Sequence, residues 1–476
     1  MAEFPDGHPG LRRNDMDFLS ETAGTRLLVV SYHFPPGPGV GALRWGALTR
    51  YLADMGWEIR VISAFRPSEE TPASIQVRHV PTDRTLDTRY KAWKASPGSG
   101  RLAGLVRRRR GADDGAEEQA DGFPIPAIFG TLRREVGALL AFPDEARGWI
   151  RPAARAIRQE VKDFRPDIIV SSGPPHAAHV SVRLAGVRAE QRRASSTTNR
   201  GIRWFMDYRD PWASHQAATA FTARLMLSLE KWCLKEVFSV LTTTPEFRDR
   251  FRADFPGVSV HWLSNGVDPQ EAEGNRRSRS RTFDVVHVGS LYIGRDPKPV
   301  VDGVVRFLGR RPEAREGFRL RFVGPVNAPH DEELARAAEG PLDGVIDRPG
   351  RVPRDEALAI LSSSALAVVL AQDQGLQVPA KLFESVGLGI PTLAITEEGS
   401  ATAAAARRVG ADVADPADPD SVARALERIW DSEVDRIPLP ESIRYDCLAR
   451  RAATLLTTGS PPGAAPMTPE LRESGG

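Results

Sequence analysis

Cysteine is scarce in this sequence, whose 476 residues include only Cys233 and Cys447. The two cysteines are far apart and show no metal-ligand spacing, so they give no sign of a cysteine-based metal site. Because free cysteines persist where thiols stay reduced, we expect a reducing compartment and buried thiols.

Long apolar runs and an excess of one charge are missing as well. No run approaches the ~20 residues that cross a bilayer, and the first seven residues are polar, without the apolar core of a signal peptide. The 64 basic and 62 acidic residues leave a net charge of +2, which does not favour a nucleic-acid binder. We expect a cytoplasmic protein with no nucleic-acid partner and at most peripheral membrane contact.

The hydrophobic residues, 41% of the chain, are numerous enough to form two sizeable domains. A strand–loop–helix–strand unit organises the second half. Residues 365–370 and 392–395 are apolar runs that predict parallel strands. Between them, apolar residues recur at helical spacing from Leu382 to Val386, and Gly389 can end the helix. In such units the loop and the helix N-terminus meet ligands, often anions.

Glu384 lies about one turn into that helix. Its carboxylate is placed to bind a sugar hydroxyl beside bound phosphates. The alternative is a solvated acid on the surface of an ordinary helix, and spacing alone does not choose between the two.

The first half opens with a strand at 26–31, a glycine-rich loop and a helix. The loop contains Gly37, Gly39, Val40 and Gly41, but its spacing does not match the dinucleotide-binding pattern G-x-G-x-x-G. A ligand-contacting loop and a flexible turn both remain open.

Two further strands, at 167–172 and 203–207, end in polar motifs. The first runs into a loop at 173–179, and ligands tend to bind at such carboxyl ends of parallel strands. The candidate side chains at these two ends are His176, Asp207, Arg209 and Asp210. His176 is either a catalytic residue or a structural histidine bonded to a neighbouring carbonyl.

A strand that begins at Phe283 runs into a loop with Gly289 and Ser290, and Arg295 and Lys298 follow. Two cations there can neutralise a leaving diphosphate. The alternative is two solvated bases at the start of a helix.

Residues 83 to about 135 interrupt the pattern with four arginines at 107–110 and an acidic, glycine-containing segment. We expect a mobile insertion, and contact of the arginines with an anionic membrane is the alternative. The tails at 1–24 and 459–476 are expected to be disordered.

Taken together, these motifs resemble family 4 glycosyltransferases with the GT-B fold. The resemblance rests on P-A-K-L-F-E at 379–384 followed by G-I-P at 389–391, on S-S-G-P-P-H and D-Y-R-D-P-W at the strand ends, and on N-G-V-D at 265–268. It covers residues 26 to about 456.

The resemblance implies an α/β architecture of two doubly wound, Rossmann-like domains that face each other across a cleft. The acceptor-side domain would span 25–269 and be completed by a C-terminal helix at 440–458 that crosses back. The donor-side domain would span 282–436, with a hinge at 270–281.

The resemblance also implies roles for the candidate residues. Glu384 would grip the ribose of a sugar nucleotide, and His176 would orient the acceptor or steady the cationic sugar. The implied donor-side residues are Gly289, Ser290, Arg351, Val352, Lys381, Leu382 and Glu384, with Arg295 and Lys298 beside the diphosphate. The implied acceptor-side residues are Gly37, Gly39, Val40, Gly41, Asp207, Arg209 and Asp210.

The implied reaction moves a sugar from a nucleoside diphosphate sugar to an acceptor hydroxyl or amine. It would proceed with retention and without a metal or another cofactor. Many family members carry a second glutamate eight positions before Glu384, where this chain has Leu376. A sugar-nucleotide epimerase, a pseudo-glycosyltransferase and a non-catalytic nucleotide-sugar-binding scaffold are the alternatives.

Overall fold

The computed structural model describes residues 22–37, 40–67, 71–83, 142–187, 201–212, 220–275, 278, 280–292, 294–432 and 436–459. Gly39, the four arginines at 107–110 and most of both predicted tails lie outside these residues. Within the described part of the chain, no helix is long and apolar enough to cross a membrane.

Short, apolar and mostly buried runs form a first sheet of seven strands. The strands are β1 Arg26–Ser31, β2 Glu58–Ser63, β3 Ile75–His79, β4 Ile168–Gly173, β5 Arg203–Tyr208, β6 Ser239–Thr242 and β7 Val260–Trp262. Their order is β3-β2-β1-β4-β5-β6-β7. The central register is parallel, with Leu27 opposite both Ile59 and Ile168. Because helices cover both faces of such a sheet, its central strands are apolar without alternation.

The helices that follow these strands are α1 Val40–Asp54, α2 Ile150–Asp163, α3 Ala177–Ala185, α4 Ala220–Leu234, α5 Pro245–Asp254 and α6 Pro269–Gly274. Helix α6 begins at Pro269 and extends into the segment 270–281 that the sequence predicts as a hinge. Asp268 caps it, because the carboxylate Oδ1 accepts the Gln270 N–H at 2.9 Å.

A second sheet of six strands follows the same plan. Its strands are β8 Phe283–Val288, β9 Phe318–Val323, β10 Ile346–Gly350, β11 Leu366–Leu370, β12 Thr392–Ile395 and β13 Asp412–Ala414, in the order β10-β9-β8-β11-β12-β13. The connecting helices are α7 Lys298–Arg310, α8 Ala328–Ala338, α9 Arg354–Ser362, α10 Ala380–Gly387, α11 Ala401–Arg408 and α12 Pro419–Trp430. The last helix is α13 Tyr445–Thr458. The guanidinium carbon of its Arg451 lies 4.0 Å from the centroid of the Trp262 ring on β7.

Strand order reverses once in each sheet, and this reversal locates the candidate sites. In the first sheet it falls between β1 and β4, and in the second between β8 and β11. Ligands of open parallel sheets bind outside the carboxyl ends of strands at such a point. The loops after β1, β4, β8 and β11 are therefore the segments to examine.

By packing, the chain divides into two compact units. The first unit contains Thr25–Ala42 and Glu58–Phe238. The second unit contains the residues before Thr25 together with Leu43–Trp57 and Ser239–Gly476. Both units are meant here only as far as their residues are described. The predicted domain boundaries at 269 and 282 stay a prediction.

The sequence predicts most strands correctly and several helices incompletely. The predicted loop at 173–179 is wrong beyond His176, because helix α3 begins at Ala177. Strand β3 and helices α5, α8 and α11 have no counterpart in the sequence-based description. The short helix that carries Glu384 and its flanking strands are confirmed.

The N-G-V-D segment joins several elements of the second unit. Val267 donates its N–H to the Ile443 carbonyl at 2.8 Å and accepts from the Tyr445 N–H at 3.0 Å. A Cβ on Gly266 would clash with the same carbonyl and lie 2.6 Å from Leu448 Cδ1. Only glycine therefore allows helix α13 to approach this closely.

We expect Gly266→Ala to lower the free energy of unfolding by about 1–3 kcal/mol, because the added methyl group overpacks the contact with Ile443 and Leu448. Urea denaturation followed by circular dichroism measures the change. Gly309→Ala is the matched control: this glycine in helix α7 has open space around it, so alanine should stabilise by about 0.5–1 kcal/mol. Equal stability of Gly266→Ala and the wild type would contradict the packing argument.

Candidate functional site

His176 lies between β4 and α3, and its side chain is completely buried. Its ring stacks on Trp212, with centroids 4.8 Å apart and planes 14° apart. Among the described residues neither ring nitrogen has a hydrogen-bond partner. Burial first, then His179 and Arg209, hold the pKa of His176 well below its usual range. The imidazole is therefore neutral at physiological pH.

A second buried histidine, His179, is fixed by hydrogen bonds from β4 and β5. The Trp204 indole N–H donates to Ser171 Oγ at 2.8 Å. The Ser171 hydroxyl also lies 2.8 Å from His179 Nδ1, so the two groups share a hydrogen bond. Burial lowers the pKa of His179 to about 3. Glycine at position 173 leaves room for both rings, since a Cβ there would lie 2.7 Å from His176 Nδ1 and 2.8 Å from His179 Nε2.

Arg209 brings a positive charge to the start of helix α1. Its guanidinium donates to the Pro174 carbonyl, and its own N–H donates to the Gly173 carbonyl at 2.9 Å. A Cβ on Gly41 would overlap the guanidinium. The glycine therefore makes room for a cation beside a helix N-terminus, a combination that favours an anionic ligand.

The remaining acceptor-side candidates take different places. Asp207 is buried at the end of β5 and accepts the Ser172 hydroxyl at 2.8 Å. Gly37 closes a turn, donating its N–H to the Phe34 carbonyl at 2.8 Å. Asp210 is half-buried, and Val40 opens helix α1. The structure thus brings Gly41, Arg209 and His176 together and leaves Gly39 undescribed.

Asp144, which is not among the residues predicted from sequence, supports the start of helix α3. Its carboxylate accepts the Ala177 N–H at 2.8 Å and the Ala146 N–H at 3.0 Å. Burial raises the pKa of this carboxyl group to about 6, against the pull of those hydrogen bonds. Asp144 therefore positions the turn that carries His176.

In the second unit, Glu384 is held by two cations. Arg354 Nη1 lies 3.1 Å from Oε1 and Lys381 Nζ lies 2.5 Å from Oε2. The Glu384 side chain is only 17% exposed. Ion pairs of this kind fix the orientation of a carboxylate.

Arg295 lies beside the end of β8. Its guanidinium stacks over the Tyr292 ring at 4.7 Å, and its Nε has no partner among the described residues. A Cβ on Gly289 would lie 3.7 Å from Arg295 Nη1 and 3.2 Å from His287 Nε2. Burial first, and then the charges of Arg295 and Lys381, lower the pKa of His287 to about 4. These charges converge on the loop after β8.

Other predicted donor-side residues are less involved. Lys298 is exposed and pairs with Asp302 at 2.6 Å one turn along α7. Leu382 is completely buried in the apolar core, so its side chain cannot contact a ligand. Arg351 is exposed and Ser290 half-buried. Val352 packs against the apolar cluster beneath β9 and β11.

One group of described side chains has the composition of a metal site. Asp296, His330 and Glu333 each place a ligand atom within 4.8 Å of the others. His330 and Glu333 are three residues apart on α8, and Asp296 precedes α7. The sequence predicts no metal, and that prediction stays open.

Comparisons with known proteins match part of the chain to one family of domains and most of the chain to one fold. Residues 39–266 match the family described as glycosyl transferase 4-like domain. A trehalose-6-phosphate synthase, OtsA, shares the fold at a TM-score of 0.55 and 14% identity, covering 92% of this chain and 100% of its own. No curated protein sequence matches the chain significantly.

Two further solved structures are similar at a TM-score of 0.51. A glycosyltransferase from Rickettsia africae is 10% identical and covers 92% of this chain and 100% of its own. The lipopolysaccharide outer core galactosyltransferase WaaB is 12% identical, with coverage of 91% and 99%. The chain has the GT-B fold, and its residues 39–266 match the glycosyl transferase 4-like domain.

Sequence reasoning missed three residues of this protein that support the candidate site. Asp144, His287 and Arg354 act through residues distant in sequence, namely Ala177, Val368 and Glu384. Only the F-P-D triplet before a tryptophan-containing helix could have drawn attention to Asp144.

The raised pKa of Asp144 predicts a pH dependence of the protein's stability. Because the folded-state pKa of about 6 exceeds the ordinary value of 3.8, the folded state binds this proton more tightly. The stabilisation of the fold by this bound proton is full below pH 4 and is lost as the pH rises through 6.

We therefore expect the free energy of unfolding of Asp144→Asn to rise relative to that of the wild type by on the order of 1–3 kcal/mol between pH 4 and 7. Urea unfolding at several pH values measures the difference. Asp163 is an exposed acid at the end of helix α2. Asp163→Asn serves as the control, and its difference in free energy of unfolding from the wild type should not change with pH. A flat curve for Asp144→Asn would show that its carboxyl group titrates normally.

Proposed function

We propose that this glycosyltransferase moves a sugar from a nucleoside diphosphate sugar to an acceptor hydroxyl or amine, with retention of configuration and without a metal. The loops after β8 and β11 would hold the donor, and the loops after β1 and β4 the acceptor. The observation that carries the proposal is the Glu384 carboxylate, fixed by two cations one turn into helix α10.

Glu384 has the chemistry that a ribose requires. Each carboxylate oxygen engages one cation and keeps further lone pairs that can accept hydrogen bonds from a sugar diol. Because Arg354 and Lys381 already fix the group, little side-chain entropy is lost when a ligand binds. An ordinary solvated acid would have neither its burial nor its two partners.

Arg295 has the chemistry that a departing diphosphate requires. Its guanidinium lies beside Gly289 at the end of β8, and guanidinium groups bind phosphate oxygens in a bidentate manner. A cation there stabilises charge that grows on the leaving group. Lys298, which is exposed and engaged with Asp302, would have to leave that partner to contribute.

His176 fits a positioning role better than a nucleophilic one. Its ring is neutral, buried and stacked on Trp212, so it can shape the wall behind an acceptor or a cationic sugar. Retention would then follow a front-face path in which the leaving phosphate accepts the acceptor's proton. Arg209 and Gly41 lie next to each other in the unit that also contains His176.

An assay of nucleoside diphosphate release tests the proposal against its alternatives. The protein is incubated with UDP-, GDP-, dTDP- and ADP-sugars, with and without candidate acceptors. Release that requires an acceptor supports a transferase, and slow acceptor-free conversion would indicate an epimerase. Binding without turnover would indicate a scaffold, the alternative suggested by Leu376.

A chelator tests the metal-free part of the proposal. The rate should be unchanged by EDTA. If metal is required, Glu333→Gln identifies whether Asp296, His330 and Glu333 supply the site. The anomeric configuration of the product, read by NMR, tests retention separately.

We expect Glu384→Ala to weaken nucleotide binding by about 1.5–3 kcal/mol, because charge-assisted hydrogen bonds to the ribose are lost. Titration calorimetry with the nucleoside diphosphate measures the affinity. Glu398→Ala removes an exposed acid that pairs with Arg407 and should leave the affinity unchanged. Wild-type affinity in Glu384→Ala would remove the donor site from this helix.

Arg295→Ala should lower kcat more than it raises KM, since its contact with the diphosphate strengthens towards the transition state. Steady-state kinetics against donor concentration separates the two parameters. Arg428→Ala, which breaks an exposed ion pair with Asp412, is the matched control. A change in KM alone would place Arg295 outside the catalytic centre.

A further inference from the structure

Arg354, the first residue of helix α9, bridges two carboxylates from different elements. Its Nη1 lies 3.1 Å from Glu384 Oε1 on α10, and its Nη2 lies 2.9 Å from Glu271 Oε1 on α6. The guanidinium is a planar fork with fixed geometry, so the position of one arm determines the position of the other. The location of Glu271 therefore bears on the location of the Glu384 carboxylate.

Helix α6 is itself anchored at its N-terminus. Asp268 caps the helix through the Gln270 N–H and also accepts the Tyr51 hydroxyl at 3.0 Å. Arg50 pairs with the same carboxylate. Burial first, and then Asp268, raise the pKa of the Tyr51 hydroxyl, so Tyr51 stays a hydrogen-bond donor at physiological pH. Glu271 thus projects from a helix whose first turn is held by α1.

We propose that Arg354 is a positioning residue that orients the Glu384 carboxylate for the donor and couples donor binding to helix α6 through Glu271. The inference rests on the proposed donor role of Glu384. The sequence motif at 379–384 does not include Arg354.

Lys381 cannot orient the carboxylate by itself. It lies on the same helix as Glu384, three residues earlier, and contacts only Oε2. A single ammonium is a point charge around which the carboxylate can rotate. The contact of Arg354 with Oε1 supplies the second fixed point. Glu271 in turn limits the freedom of Arg354, whose side chain is 47% exposed.

A double-mutant cycle on nucleotide affinity tests the proposal. The affinity of the tightest binder among UDP, GDP, ADP and dTDP is measured by calorimetry for the wild type, Arg354→Ala, Glu271→Gln and the double variant. Glu384→Ala is the reference arm. Arg424→Ala, which breaks a comparably exposed ion pair with Asp418, is the matched control.

We expect Arg354→Ala to weaken binding on the order of tenfold, and Glu271→Gln to weaken it roughly two- to fivefold. The double variant should bind no more weakly than Arg354→Ala, because Glu271 acts through Arg354. Melting temperatures should stay near that of the wild type, since Arg354 is itself 47% exposed and Glu384 keeps Lys381 as a partner. A merely structural role would change melting temperature and leave affinity alone.

The outcomes separate this inference from the proposed function. If Glu384→Ala weakens binding and Arg354→Ala stays within twofold of the wild type, Arg354 has no positioning role. If the Glu271→Gln effect multiplies with that of Arg354→Ala, the coupling to α6 is wrong. If no nucleotide binds, or Glu384→Ala has no effect, the donor site fails and the inference falls with it.

Discussion

The buried guanidinium of Arg44 determines how the loop after β7 is held. It donates to the carbonyls of Leu263 at 2.8 Å and Ser264 at 2.6 Å, and to Asn265 Oδ1 at 3.2 Å. A buried cation costs several kcal/mol unless it is fully hydrogen-bonded, so α1 and this loop must stay together. Val267 then lies where a Cβ on Gly387 would approach to 2.7 Å. The helix that carries Glu384 is located by this contact.

The order of the strands explains why each candidate group forms where it does. In both sheets the chain builds outwards from a central strand, first to one side and then to the other. Loops at the reversal diverge and leave space between them. Gly41 and His176 both lie near Arg209 at the β1–β4 reversal. At the β8–β11 reversal, the Gln372 amide donates to the Asp296 carbonyl at 2.8 Å and joins the two loops.

Sequence was sufficient where the information is local. Strands buried on both faces are continuous apolar runs, so β1, β4, β8 and β11 could be predicted, and Glu384 could be placed one turn into its helix. Helix α5 could not, because its charged sequence has only Phe247 and Phe251 buried. The role of Arg354 was equally hidden, since its contact with Glu384 depends on how α9 packs beside α10. Burial of His176 depends on Trp212, which no spacing rule connects to it.

The ion pairs of Glu384 also bear on whether the fold still serves a ligand. A largely buried carboxylate with two cations gains little stability, because apolar residues of similar volume are often as stable or more so. A scaffold without a donor would therefore have no energetic need for Arg354, Lys381 and Glu384 together. A site that binds a ribose does need them, because a carboxylate oriented in advance avoids the entropy cost of ordering it during binding. The arrangement thus favours an active donor site despite the leucine at position 376.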